Sequence, residues 1–277
     1  MKILAIGDFH GKFPEKLKNK LKKQDFDLIL SPGDLADSTT LRNLEFKYWH
    51  KSKSGFTLED ILGKNDYRRI LQKMVLSMKR VLVSLKFLNR PIILIYGNSD
   101  VSDKEVKDYN FKGLESLCRS KGAIILKTNT RHVGDWAIAG FSGYRGAMSK
   151  GLTKSDGKQK KEIILINQKW EERLKKLFKK VKNFDKTLLL IHDAPFGCMD
   201  KVNYKKSPLN GKHVGDKYFL KYIKKFQPQV VLCGHMHEYQ GVKKLGKSLV
   251  INPGPASEGK CAIIDIQGKD IKVKFYK

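Results

Sequence analysis

The chain repeats one local design five times: a short apolar run that ends in a residue able to ligate a metal. Ile3–Gly7 runs into Asp8 and His10, and Leu28-Ile29-Leu30-Ser31-Pro32-Gly33 runs into Asp34. Ile92–Gly97 runs into Asn98, Leu188–Ile191 into His192, and Val230–Gly234 into His235 and His237. Continuous apolar runs of this length read as strands buried on both faces. In open α/β sheets, ligands collect beyond the C-terminal ends of the strands. The pattern therefore predicts buried strands whose ends share one ligand cluster, with Asp34 at its centre bridging two divalent metal ions.

Between these runs the periodicity changes. Phe13, Leu17 and Leu21 recur at spacing four among lysines, an amphipathic helix with Pro14 in its first turn. Strand, helix, strand at this point implies a right-handed βαβ unit and a parallel pair. Residues 66–89 follow a 3.6 period and predict a long helix. The stretch 38–90 is longer than an ordinary βα connection and reads as a helical insertion within a single domain spanning 1–277. Its Arg68, Arg69, Lys73, Lys79, Arg80 and Lys86 either contact substrate phosphates or form the solvated face of the helix. Further on, a helix is expected over 104–120, strands near 122–127 and 131–141, and a polar surface loop over 149–161. Trp170, Leu174, Leu177, Phe178 and Val181 mark another helix. A strand at 187–191 precedes a long irregular loop, 193–216, of the kind that is usually functional. A helix near 216–226, a strand at 229–233 and short strands near 248–251, 260–266 and 270–276 complete the expected order.

Two whole-chain properties narrow the function. The formal net charge is +28, with 56 basic residues against 28 acidic. Such a surface attracts polyanions, nucleic acid first among them, although lysines spread this widely also serve plain solubility. No apolar run reaches the roughly 18 residues of a membrane span. The N-terminal apolar stretch is too short for a signal peptide and leads straight into Asp8, so a cytoplasmic protein is expected. Cys118, Cys198, Cys233 and Cys261 are dispersed and form no C-x-x-C pair. Reduced, buried thiols follow, not a structural zinc site of that type.

The ligand chemistry is read residue by residue. In Asp8-x-His10 and His235-x-His237 the spacing of two would aim both side chains to one side of an extended segment. Asn98 adds an uncharged oxygen and His192 an imidazole. Mixed oxygen and nitrogen donors without thiolate suit Mn²⁺, Fe or Zn²⁺. Any one fragment is weak, since an Asp after Gly is commonly a turn residue. The ordered set of five is not, and four of the seven histidines fall within it.

Taken together, Asp8-x-His10, Gly33-Asp34, Gly97-Asn98, His192 and Gly234-His235-x-His237 resemble the calcineurin-like metallophosphoesterase superfamily, from residue 3 to about 255. The segments His192-Asp193-Ala194-Pro195-Phe196-Gly197 and Ile251-Asn252-Pro253-Gly254 look most like its small prokaryotic phosphoesterases. The resemblance implies an α/β fold, a four-layer α/β/β/α sandwich with the helical insertion. It implies one metal held by Asp8, His10, Asp34 and His237, and a second held by Asp34, Asn98, His192 and His235, with Mn the favoured ion. It implies hydrolysis of a phosphodiester or phosphomonoester by attack of a metal-bridging hydroxide, on a phosphorylated small molecule or nucleotide. The alternatives are a metal-dependent nuclease, which the charge favours, and a non-catalytic scaffold of the same fold. The superfamily usually carries His after the Gly-Asn of its third motif, where this chain has Ser99 before Asp100. The missing imidazole normally donates a proton or offsets charge, and His213 is a candidate substitute. Arg145, in the Gly-rich segment 140–146, is a candidate phosphate contact. Asp34, Asn98, Asp100, His213 and Arg145 thus form the candidate catalytic set, while oligomeric state and substrate stay open.

Overall fold

The computed structural model describes residues 1–277 except 54–55, 154–156, 206 and 208. The excepted positions fall within the loops expected at 149–161 and 193–216 and within the insertion.

In chain order the first elements are β1 (Lys2–Ala5), α1 (Glu15–Lys22) and β2 (Leu28–Ser31). The stretch between β2 and β3 then supplies α2 (Thr39–Lys47), α3 (Trp49–Lys53), α4 (Leu58–Leu62) and the long α5 (Lys64–Lys86) before β3 (Ile92–Leu94). There follow α6 (Asp103–Val106), α7 (Leu114–Lys121), β4 (Ile124–Ile125), β5 (Thr128–Val133), β6 (Trp136–Phe141) and α8 (Gly157–Lys179). The chain closes with β7 (Thr187–Ile191), α9 (Lys217–Phe226), β8 (Val230–Leu232), β9 (Gly241–Leu245), β10 (Ser248–Asn252), β11 (Cys261–Gln267) and β12 (Asp270–Tyr276).

These strands form two six-stranded mixed sheets, ordered β12-β11-β1-β2-β3-β4 and β5-β6-β7-β8-β10-β9. In the first, β1, β2, β3 and β4 run parallel. In the second, β6, β7, β8 and β10 run parallel. The alternation of side chains across each strand builds three apolar layers. Ile3, Ala5, Leu28 and Leu30 point between the sheets and meet Leu188, Leu190, Val230 and Leu232 of the other sheet. Leu4 and Ile29 point outward to a layer with Leu17, Leu21, Met78 and Leu82 of α1 and α5. Leu189 and Val231 point outward to Trp170, Leu174 and Phe219 of α8 and α9. The result is the expected α/β/β/α sandwich. All four cysteines are free and buried within it.

Local chemistry fixes the helix ends. Asp216 caps α9 by accepting the N–H groups of Tyr218 and Phe219. Gly122, in left-handed conformation with φ 68°, ends α7.

Four expectations are corrected. The single helix over 104–120 is broken into α6, a 3₁₀ turn and α7, because Asn110 adopts a left-handed φ of 58°. The strand over 131–141 is a hairpin instead: β5 and β6 turn back at Gly134, whose φ is 54°. The polar loop over 149–161 ends early, since α8 begins at Gly157. Strand β9 is an addition, an edge strand rich in lysine that carried too little apolar signal to be read.

Candidate metal centre

The first, second, seventh and eighth strands, together with β3, end on one side of the molecule, where their following turns meet. Backbone hydrogen bonds stitch those turns together: Asp8 N–H donates to Gly33 O, Phe9 N–H to Asp34 O, and Gly234 N–H to His192 O. The turns are not extended. Asp8, His10, Asp34 and His235 have φ of 53°, 45°, 58° and 68°. Left-handed conformation costs free energy for residues with a Cβ, and its clustering here marks a built site. The spacing-of-two argument for Asp8-x-His10 is therefore corrected: tight left-handed turns aim these side chains, not a strand pleat.

Two glycines make the approach possible. A Cβ on Gly97 would lie 2.0 Å from Asp34 Oδ1, and one on Gly234 would lie 2.6 Å from Asp8 Oδ2. The motifs Gly97-Asn98 and Gly234-His235 thus need glycine because a carboxylate packs onto the backbone there.

The donor atoms converge in two groups. Asp8, His10 and His237 form one; Asp34, His192 and His235 form the other. Asp34 faces both, with Oδ2 3.8 Å from His10 Nε2 and Oδ1 3.5 Å from His192 Nε2. His10 Nε2 and His237 Nε2 stand 3.0 Å apart. His192 Nδ1 is 2.8 Å from Pro32 O, and its Nε2 is 2.8 Å from Asn98 Oδ1. If Nδ1–H donates to the carbonyl, Nε2 of the neutral ring turns its lone pair onto another acceptor. Two buried carboxylates and opposed lone pairs are a donor set that fits divalent cations. The seven residues expected as metal ligands are all present around this centre.

A second layer holds the donors. Asp100 accepts N–H groups from Asp34, Leu35, Ala36 and Gly97, tying the second and third turns together. It is a positioning residue: burial, then the neighbouring Asp34 charge, push its carboxyl up to about 6. His235 N–H donates to Asp8 at 3.1 Å. Burial drives the His235 imidazole well below its ordinary value. Burial also opposes the charged form of His192, but the Asp34 and Asp8 carboxylates raise it overall.

The sequence reading missed Lys150, Asp193 and Arg42. Lys150 Nζ donates to Asp193 at 2.8 Å, both groups nearly inaccessible to solvent, and Asp193 lies 4.0 Å from His235 Nε2. A lysine in a Lys-rich stretch carries no sequence signal of burial, whereas Asp193 stands beside a candidate ligand and could have been flagged. Arg42, Tyr144, Leu152 and Tyr204 line a cavity of about 480 Å³ together with His10, Asp34, Asn98, His235 and His237. The basic residues of α5 named above are not among its lining. A larger cavity, about 930 Å³, opens at the other end of the strands among Asp27, Trp136 and Lys186. It lacks converging metal donors among the described residues, so the smaller cavity is the one that holds the candidate metal centre.

A family profile described as metallophosphoesterase, calcineurin superfamily, matches residues 1–275. The chain belongs to the calcineurin-like metallophosphoesterase superfamily.

An uncharacterized protein of Methanocaldococcus jannaschii is similar to this metallophosphoesterase, with 25% identity over 93% of this chain and 89% of its own. Among solved structures, TT1561 of Thermus thermophilus superposes with TM-score 0.57 at 17% identity, covering 99% of this chain and 97% of its own. A dimetal phosphatase from Danio rerio superposes with TM-score 0.54 at 9% identity, covering 100% and 96%. At such identities the two structures speak for the fold. The superfamily typically binds divalent metals, and the His and Asp groups able to hold them are in place here.

Two expected catalytic residues of this metallophosphoesterase are engaged elsewhere. Arg145 is buried; it donates to Asp216 at 2.9 Å, to Asn167 at 2.6 Å and to Ser149 O at 3.0 Å. Its guanidinium neutralises a buried carboxylate and does not line the metal-side cavity. His213 sits on the opposite strand of an isolated bridge to Lys201, with Nδ1 2.6 Å from Asp200 Oδ1 and the ring against Phe196. It too lies outside that cavity's lining. No helix among the described residues is long and apolar enough to cross a membrane.

Proposed function

We propose that this protein is a dinuclear-metal phosphoesterase that hydrolyses a phosphomonoester or phosphodiester of a small molecule or nucleotide in the cytoplasm, as a single domain with its 38–90 insertion. One observation carries the reading: Asp34 turns one oxygen to each of two donor groups at the floor of an open cavity. Asp8, His10, Asp34 and His237 would hold one ion; Asp34, Asn98, His192 and His235 would hold the other, manganese being our assignment. When bound, such ions acidify water and offset charge on phosphoryl oxygens. The chain's own part is orientation. Asp100 fixes the Asp34 turn, Pro32 O fixes the His192 ring, and Asp193 stands behind His235 with its charge balanced by Lys150. Tyr144 packs on His235, ring centroids 4.9 Å apart, and closes one wall of the cavity.

The test is metal analysis with turnover of an aryl phosphodiester and an aryl phosphomonoester. Two equivalents of metal with hydrolysis of either ester, abolished by chelation and restored by Mn²⁺, is the expected result. Two equivalents of metal with no turnover of any activated ester would favour the scaffold reading.

A nuclease is the second reading, favoured by the net charge of +28 and by the exposed aromatic side chains of Phe46 and Trp49 on α2 and α3. Bases stack on such rings, and phosphates follow the lysines. Nucleic-acid affinity that falls steeply with salt would support it.

A further inference from the structure

The insertion reaches the metal centre through its first helix. Ser38, just before α2, donates through Oγ to Ser99 Oγ at 3.0 Å, and Ser99 Oγ donates to Asp34 Oδ2 at 3.0 Å. Asp37 N–H donates to Ser77 Oγ of α5 at 2.8 Å, which anchors the same corner. The start of α2 is thus tied to the central carboxylate by two hydroxyls and to the long helix by a third. Arg42 stands four residues beyond Ser38, its N–H donating to Ser38 O at 2.9 Å. Residues four apart share a helix face, so a helix that presents Ser38 to Asp34 also presents Arg42 to the centre. Arg42 accordingly lines the cavity beside His10, Asp34 and Asn98. Among the described residues, no hydrogen bond or ion pair engages its guanidinium. Two other buried cations on this side of the fold already have partners: Lys150 is held by Asp193 and Arg145 by Asp216.

We propose that Arg42 binds a phosphoryl oxygen of the substrate and is a catalytic residue delivered by the insertion. This rests on the phosphoesterase reading for its turnover, but not for its anion contact. An arginine fork matches two phosphate oxygens at once and cannot lose its proton, so Arg42 acts by offsetting charge and not as an acid. The same helix that supplies the cation is registered by Ser99, which makes the distance between cation and metal donors a property of the fold.

The experiment compares wild type, Arg42→Ala, Arg42→Lys and Lys47→Ala, the last on the same helix but outside the cavity lining. Inorganic phosphate binding is measured by calorimetry with and without Mn²⁺, beside metal content and kcat/KM on both aryl esters. Arg42→Ala is expected to keep its metal and its melting temperature, to weaken phosphate roughly 10-fold or more, and to lower kcat/KM roughly 10²–10³-fold, the scale of losing one charge-stabilising donor. Arg42→Lys restores part of both, and Lys47→Ala changes neither. Equal phosphate affinity in wild type and Arg42→Ala overturns the proposal, as does phosphate binding by neither. Arg42-dependent phosphate binding without turnover of any ester leaves the contact standing and removes the phosphoesterase reading instead.

Discussion

The Ser99 hydroxyl donates to Asp34 Oδ2 at 3.0 Å, while the Ser99 backbone N–H donates to Oδ1 at 2.8 Å. One residue therefore holds both oxygens of the central carboxylate. It does so at the position where the superfamily usually carries an imidazole. Ser99→Ala keeps the N–H contact but removes the hydroxyl, and leaves the Ser38 hydroxyl without its acceptor. Outer partners of metal ligands are typically worth 10–100-fold in metal affinity. Titration with Mn²⁺ is expected to show a loss at the lower end of that range, about 10-fold, because one of two contacts survives. An affinity unchanged from wild type would mean that the serine is a bystander.

Asp34 offers each donor group one oxygen, so replacing it with the isosteric amide should injure both sites together. Asp34→Asn removes the negative charge that the imidazoles face at 3.5 and 3.8 Å. Metal analysis after dialysis is expected to show fewer than two ions retained, with affinity lower by about 10²-fold or more and activity lost with it. Full metal content together with full turnover would contradict the bridging role.

Arg145 gives the opposite kind of prediction. Its guanidinium and the Asp216 carboxylate are almost fully buried, and Asp216 also caps α9. Arg145→Ala leaves a buried carboxylate with its charge unpaired, a change that costs about 3–5 kcal/mol. In a chain of this size that is a fall in melting temperature on the order of 10 °C. Turnover per folded molecule, measured well below the transition, is expected to stay within a small factor of wild type, since Arg145 is paired with Asp216 and does not line the metal-side cavity. A large kcat loss in a protein of unchanged stability would restore Arg145 to the phosphate.

What the sequence could reveal depended on the range of the interaction. The parallel strands were legible because both faces of Ile3–Ala5 and Leu28–Leu30 are buried, which leaves an unbroken apolar run. Their ends were legible because Asp8, Asp34 and His192 stand directly after those runs. The division into two sheets was not, since β1 pairs with β11 across almost the whole chain and no local pattern records that pairing. Lys150 and Arg42 were invisible for a related reason. A lysine that neutralises Asp193 and a lysine that meets only water look alike in a chain with 56 basic residues. Arg145 misled in the other direction: a Gly-rich neighbourhood suggested a phosphate loop, while its partner Asp216 lies far along the chain. The turns at Asp8-x-His10 and at His235 were misread because an extended segment and a left-handed turn can carry the same spelling of two ligands one residue apart.

Glu115 supplies a pH-dependent prediction away from the metal centre. Its carboxylate accepts from Lys127 Nζ at 2.7 Å and from the N–H of Asp103 at 2.7 Å, which joins α7 to the start of α6 and to the strand edge. Burial works against its charge, but the Lys127 ammonium and the Asp103 N–H prevail and lower its pKa from 4.5 to about 2. A carboxyl held low in the folded state stabilises that state above the unfolded value and ceases to do so as pH falls through the folded one. The stabilisation is therefore whole above pH 4.5 and fades between 4.5 and about 2. Discounted for solvent reaching the Lys127 side of the pair, it amounts to about 1–2 kcal/mol. Denaturant unfolding at neutral pH is expected to find Glu115→Gln less stable than wild type by that amount. Repeated at successively lower pH, the gap should hold down to about 4.5 and narrow below it. A gap that stays constant through that window would show that the glutamate contributes by packing and not by charge.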